Sequence, residues 1–120
     1  MKNIRKSDQN LVDLIQELKR QAHKNNARIW KDVAQRLEKP SSSWAKINVG
    51  KLSPLIENGE VILIPGKLLG MGKFDKKVTI ISMKSSKSAV EKVNKSGGKF
   101  MDLDEAMSKY PKGSKIRIMG

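Results

Sequence analysis

Apolar positions recur at three- and four-residue spacing twice in the first third of the chain. Leu11, Leu14, Ile15, Leu18 and Ala22 form one stripe, with Val12 at its edge, and Ser7 or Asp8 stands where a cap is needed. This predicts a first helix, with Asp8 and Asp13 towards its start and Lys19, Arg20 and Lys24 towards its end, as the helix dipole favours. Asn25-Asn26 breaks the pattern, and a second helix is predicted from Ala27 to Glu38. Ile29, Trp30, Val33, Ala34 and Leu37 make its apolar stripe and Pro40 ends it, so Trp30 is assigned to the core. No helical or strand period runs from Lys39 to Lys46. Trp44 in that polar connector is the better of the two tryptophans for touching a partner, with anchoring of the connector as the alternative. A short third helix is predicted to start at Asn48 or Ser53, with Pro54 suited to its first turn, Leu52, Leu55 and Ile56 inward and Asn58-Gly59 closing it.

The pattern then changes period. Val61-Ile62-Leu63-Ile64 is a continuous β-branched and aliphatic run, which predicts a strand covered on both faces. Pro65 is expected to stop its ladder and to open a basic, glycine-rich turn through Phe74, in which Gly66, Gly70 and Gly72 permit positive φ or close approach of a ligand to the backbone. Val78 to Met83 gives a second strand. Ser85 to Ser88 opens the next helix, Ser88 and Glu91 having capping-box spacing, and Gly97-Gly98 ends it. Lys99-Phe100-Met101 is a short extended segment, and Asp102 with Glu105 opens a last short helix. Pro111-Lys112-Gly113 turns the chain into Lys115-Ile116-Arg117-Ile118-Met119, where alternation puts the isoleucines on a core face and Lys115 with Arg117 on the other. Helices followed by strands and further helices make an α/β protein. Its 120 residues suit one domain, taken as 7–120, behind a basic arm at 1–6.

Charge changes what this fold is for. The 25 basic and 12 acidic side chains leave a formal charge of +13, where small soluble domains carry roughly 2 to 8. Residues 1–50, 51–84 and 85–120 contribute +6, +3 and +4, so the excess belongs to the folded body and not to a detachable tail. Such a body opposes its own compaction unless an anionic partner screens it. Cysteine is absent, so there are no disulfides and no thiolate metal sites. No signal peptide and no membrane-length apolar run is visible, so an intracellular protein without a membrane partner is expected.

Candidate chemistry is sparse. His23 stands alone near the end of the first helix, and no second histidine or cysteine completes a transition-metal set. Asp102, Asp104 and Glu105 read as helix-start residues, and the serines at 41–43 and 82–88 lack a strand-to-helix nucleophile elbow. Gly72-Lys73 is followed by Phe74 and not by Ser or Thr, and Asp75 stands where a dinucleotide fingerprint needs glycine, so neither nucleotide loop is present. No enzyme, cofactor or metal is expected. The remaining chemistry is grip on a polyanion: Lys67, Lys73, Lys76 and Lys77 around a turn whose amides at Gly66, Gly70 and Gly72 could cradle phosphates, extended by Arg28, Lys31, Arg36, Lys39, Trp44, Lys46, Lys51, Lys115 and Arg117. With few aromatic residues available for stacking, backbone contacts to folded RNA fit better than single-strand recognition, and an architectural DNA-associated protein is the alternative.

The run from Trp30 to Pro40, followed by Ile47-Asn48-Val49-Gly50-Lys51-Leu52, by Val61 to Gly70, by Val78 to Ser82, by the segment Ser85 to Gly98 and by the Pro111-Lys112-Gly113 turn, resembles the archaeal large-subunit ribosomal protein family L-eighteen-e, related to bacterial L-fifteen. The resemblance covers nearly the whole chain. It implies N-terminal helices before an irregular β-β-α superhelical core, binding to large-subunit ribosomal RNA beside neighbouring ribosomal proteins in the cytoplasm, no enzymatic step, and a monomer when free.

Overall fold

The structure is a computed structural model that describes residues 9–120. The expected basic arm and the Ser7 or Asp8 cap lie outside the described residues. Two compact units emerge. One contains the chain up to Trp44 together with Asp104–Ser114, and the other contains Ala45–Leu103 with Lys115–Gly120.

In the first unit the two predicted helices form where their apolar stripes place them, as α1 (Gln9–Lys24) and α2 (Arg28–Leu37), which pack on each other. Asn26 makes the break between them at φ +52, a left-handed conformation that asparagine tolerates better than most side chains. Leu18, Trp30, Val33, Ala34 and Leu37 are buried, as the stripes require. A short helix α5 (Leu103–Lys109) carries Asp104 and Glu105 in its first turn. The turn that follows it seats on α2. Trp30 Nε1 donates to the Pro111 carbonyl at 2.9 Å, and Gly113, at φ +64, lies against Ile29, so a Cβ there would come within 2.2 Å of Ile29 Cγ2.

The second unit is built on a five-stranded sheet in which every pairing is parallel: β1 (Ala45–Asn48), β2 (Val61–Leu69), β3 (Thr79–Ser85), β4 (Lys99–Met101) and β5 (Ile116–Ile118). The order is β1-β2-β3-β4, and β5 shares with β1 the role of neighbour to β2. The β5 strand pairs with Val61–Leu63, and β1 pairs with Gly66–Leu69. A parallel sheet buries both faces of its central strand, which is why Val61-Ile62-Leu63-Ile64 carries no polar alternation.

One expectation is corrected here. Pro65 does not stop the ladder, because β2 runs on to Leu69. Pro65 has no partner in any of the three registers of β2, and the β2–β3 register shifts between Ile64 and Lys67, so the missing N–H falls where no strand asks for one. The connector after Pro40, where no period runs, is held in local structure. A 3-10 turn at Ser41–Ser43 leads into β1, a strand too short and too polar to announce itself by period.

One face of the sheet carries the core. Ile62, Ile64, Leu68 and Ile80 pack with Val49 and Leu52 of α3 (Val49–Leu52), with Ile56, and with Ala89 and Val93 of α4 (Lys87–Lys95). The predicted third helix is divided into α3 and a 3-10 turn at Ser53–Leu55. Its Leu55, expected inward, is 53% exposed because the change of winding turns it out, whereas Leu52 and Ile56 are buried.

The cap of α4 is also corrected. Ser86, not Ser88, is the N-cap, its Oγ accepting from the Ala89 amide at 3.2 Å. Ser86→Ala should therefore lower stability by about 1 kcal/mol, the usual worth of an N-cap hydroxyl, and Ser88→Ala by much less. Paired urea melts of the two variants check this.

Candidate nucleic-acid interface

Parallel neighbours β2 and β3 require the chain to travel back along the sheet, a task that usually falls to a helix. Here the return is made by the extended segment 70–78, which takes in only the second half of the basic turn expected from Pro65 to Phe74, the first half belonging to β2. Its backbone hydrogen bonds go to other parts of its own unit. The Met71 amide donates to Asn48 Oδ1 at 3.1 Å, the Asp75 amide to Ser53 Oγ at 3.3 Å and the Lys77 amide to Asn58 Oδ1 at 2.8 Å. The Met71 carbonyl accepts from the Gly50 amide at 2.9 Å, the Phe74 carbonyl from Ser96 Oγ at 2.8 Å and the Lys77 carbonyl from the Gly59 amide at 2.8 Å. Ser53 Oγ also donates to the Asp75 carboxylate at 2.8 Å, and Phe74 packs against the core. The segment is a strap laced down by asparagine and serine side chains. The amides at 71, 75 and 77 therefore already have acceptors within the protein.

Lys92 is the residue that sequence reasoning missed. From α4 its ammonium donates to the Gly70 carbonyl at 2.6 Å and to the Gly72 carbonyl at 2.5 Å, holding the glycine end of the strap. Only its place on the polar side of an amphipathic helix is visible in the sequence, and that position does not distinguish an inward clamp from a solvated lysine.

Each of the three glycines of the expected cradle makes a close packing contact. A Cβ on Gly66 would stand 2.1 Å from the Ala45 carbonyl oxygen of β1, and one on Gly70 would stand 1.8 Å from Ser88 Oγ. Gly72, at φ +97, lies against Gly50, each occupying the space a side chain on the other would need. Lys51 and Lys73 are the residues that directly follow the two touching glycines.

The candidate cations separate by unit. Arg28, Lys31, Arg36 and Lys39 belong to the first, where Arg28 and Lys31 lie exposed on the side of α2 opposite its buried stripe. Arg36 is bound to Asp32 at 3.0 Å. Trp44 is 4% exposed and its Nε1 donates to the Lys39 carbonyl at 3.0 Å, so the ring anchors the connector and offers no open face for stacking. Lys46, Lys51, Lys67, Lys73, Lys76, Lys77, Lys115 and Arg117 belong to the second unit. Register places Lys46 of β1 beside Lys67 of β2. Among the described residues, Lys46, Lys51, Lys67, Lys73, Lys76 and Lys77 have no carboxylate partner.

Arg117 differs from these lysines. Its Nη1 lies 3.2 Å from Glu60 Oε1. The Glu57 backbone N–H, donating to Glu60 at 2.7 Å, and behind it the Arg117 guanidinium hold the Glu60 carboxyl below its ordinary value of 4.5. A depressed folded pKa gives stability that is complete above the unfolded value and fades as pH falls through the folded one. Glu60→Gln should therefore lower stability slightly at neutral pH and leave it unchanged well below pH 4.5, so that part of the acid limb flattens, the effect staying small because the pair is solvent-exposed. Urea midpoints measured at pH 3 and pH 6 check it.

One concavity belongs to the opposite chemistry. A cleft of about 550 Å³ in the first unit is lined by Asp13, Glu17 and Asp104 among others, and its sign repels an anion. Among the described residues no cluster of three or more His, Cys, Asp or Glu is placed to hold a metal ion, and no helix is long and apolar enough to cross a membrane.

The comparisons agree with one another. The family model described as ribosomal proteins 50S-L15, 50S-L18e and 60S-L27A matches residues 10–101. The chain is 41% identical over 119 residues to the large ribosomal subunit protein eL18 of Methanococcus maripaludis, covering 99% of each. It is 40% identical over 116 residues to the eL18 of Archaeoglobus fulgidus, covering 97% of this chain and 99% of that protein. With the eL18 of Methanospirillum hungatei it shares 37% identity over 114 residues, 95% of this chain and 94% of that one.

Proposed function

The chain belongs to the archaeal eL18 family of large-subunit ribosomal proteins, within the wider group of 50S-L15, 50S-L18e and 60S-L27A, and from that premise we propose that it is a structural constituent of the large subunit that binds and stabilises folded ribosomal RNA by electrostatic clamping. The observation that carries this reading is the set of lysines without carboxylate partners on firmly held elements. Lys46 and Lys67 stand on paired strands, Lys51 and Lys73 directly follow the touching Gly50 and Gly72, and Lys76 and Lys77 ride on the laced strap. Held cations lose little freedom when phosphates replace their counterions, and counterion release supplies the affinity. Arg28, Lys31 and Lys39 extend the contacts, while Lys115, Arg36 and Arg117 contribute more weakly, the two arginines through partial neutralisation by Asp32 and Glu60. Trp44 and Gly66 act through packing alone.

In this reading residues 7–120 are one RNA-binding domain behind the basic arm at 1–6. The β2–strap–β3–α4 succession supports a core of the irregular β-β-α superhelical type. The protein works in the cytoplasm beside neighbouring large-subunit proteins, is a monomer when free, and carries out no reaction. Gradient fractionation of native extract tests the assignment. Comigration with large subunits through moderate salt, with release at higher salt, is the expected result. Consistent absence from those particles would overturn it, and preference of the purified protein for duplex DNA over ribosomal RNA would move it to the DNA class.

A further inference from the structure

Three lysines stand side by side across the sheet. The β1–β2 register pairs Lys46 with Lys67, and the β2–β3 register pairs Lys67 with Lys84. Ala45 and Ile47 pack against the core cluster and Leu68 lies within it, so alternation sends Lys46 and Lys67 to the opposite face. Lys84 joins them through the register shift between Ile64 and Lys67 of β2, which spans three steps on β2 and two on β3. Ser82 Oγ and Ser85 Oγ, three positions apart, lie 2.8 Å from each other, and Leu68 pairs with Ser85, which leaves Lys84 beside Lys67. Strand spacing makes the row roughly 10 Å long.

Like charges on adjacent strands repel, and Lys46 and Lys67 have no carboxylate among the described residues to relieve them. The fold nevertheless enforces the arrangement. Gly66, without a side chain, lets β1 come close enough for Ala45 to oppose it, and Lys46–Lys67 is the next rung. We propose that Lys46, Lys67 and Lys84 form one cationic row that grips a short run of consecutive phosphates in folded RNA, at a cost in stability to the free protein. The inference rests on the ribosomal RNA reading above and adds Lys84 to it. Loop lysines can seek phosphates independently. This row is fixed by backbone register, so its three charges act as a unit.

The test compares Lys46→Gln/Lys67→Gln/Lys84→Gln with an off-row triple of equal charge, Lys24→Gln/Lys95→Gln/Lys99→Gln, and with the row changed to arginine. Protein-free large-subunit ribosomal RNA is the probe, with duplex DNA and polyglutamate as competitors. The neutral row should lose roughly 100-fold in affinity at low salt and reduce the slope of log affinity against log salt by about 3. The off-row triple should change the slope by less than 1, and the arginine row should restore it. Without RNA, the neutral row should melt higher than wild type at low salt, and the difference should shrink as salt screens the repulsion. Equal losses in both neutral triples, or a neutral row that melts no higher than wild type, would overturn the row while leaving the ribosomal reading intact. Loss of polyglutamate binding with RNA binding preserved would reassign it to an acidic protein segment. Wild type that prefers duplex DNA would instead overturn the reading on which the row rests.

Discussion

Trp30→Ala should cost about 3–5 kcal/mol of unfolding free energy, the range for truncating a fully buried large aromatic side chain. The ring is 0% exposed, and it also holds the turn after α5 through its hydrogen bond to the Pro111 carbonyl. Two effects therefore add. The missing ring leaves a cavity beside α2, and the Pro111 carbonyl loses its donor, which costs more when the remaining group is shut away from water than when it is solvated. Trp30→Phe separates them by keeping most of the volume and removing only the N–H, and it should cost about 1–3 kcal/mol. Urea unfolding of both variants, with hydrogen exchange at α2 and at Tyr110–Gly113, reads the result. The Tyr110 amide, bonded to the Ala106 carbonyl at 2.8 Å, and the Gly113 amide, bonded to the Tyr110 carbonyl at 2.8 Å, should exchange faster in both. If Trp30→Ala unfolds within 1 kcal/mol of wild type, Trp30 is not the pin between α2 and that turn.

The same residue marks how far the sequence can be read. Trp30 is legible because it lies on a stripe of period 3.6, and the stripes of α1 and α2 dictate their own burial. The central strand is legible from its run of four aliphatic residues. Segments whose partners come from elsewhere in the chain were not legible in the same way. The Ala45–Asn48 stretch becomes a strand because β2 presents an edge that Gly66 leaves open, and the alternation of Ala-Lys-Ile-Asn is only four residues long, too short to stand out in the sequence. Pro65 looks like a terminator until three registers are seen to pass it by. The glycine-rich turn reads as a ligand cradle because glycine serves close approach to a ligand and close approach to another backbone equally well. Gly50 against Gly72, Lys92 on two carbonyls and Lys84 beside Lys67 are all relations between distant positions, and none has a local signature. Charge had the converse limit. The total pointed to a polyanion, but only the ion-pair geometry distinguishes Lys67 from an Arg117 already engaged by Glu60.

Gly66→Ala should damage both stability and RNA binding without removing a single charge. Its new methyl carbon would come within 2.1 Å of the Ala45 carbonyl oxygen and 2.8 Å of the Ala45 nitrogen. Both are backbone atoms in a paired strand, so β1 must move away. Overpacking of this kind usually costs 1–3 kcal/mol, and a backbone that cannot rotate aside puts the expected cost near or above about 3 kcal/mol. Displacing β1 also takes Lys46 from beside Lys67. Affinity for large-subunit ribosomal RNA should then fall at least tenfold at low salt, measured below the variant's unfolding transition, although the net charge remains +13. Gly59→Ala is the control. Its site is open, with nothing within 4 Å of the added carbon, and its φ of +90 gives strain alone, worth about 1–2 kcal/mol, with RNA affinity unchanged. A folded Gly66→Ala protein that binds RNA as tightly as wild type would show that the number of positive charges sets affinity and that the register of the sheet does not. A tenfold loss with the charge intact would place the recognition in that register, where a glycine with no chemistry of its own holds two lysines together.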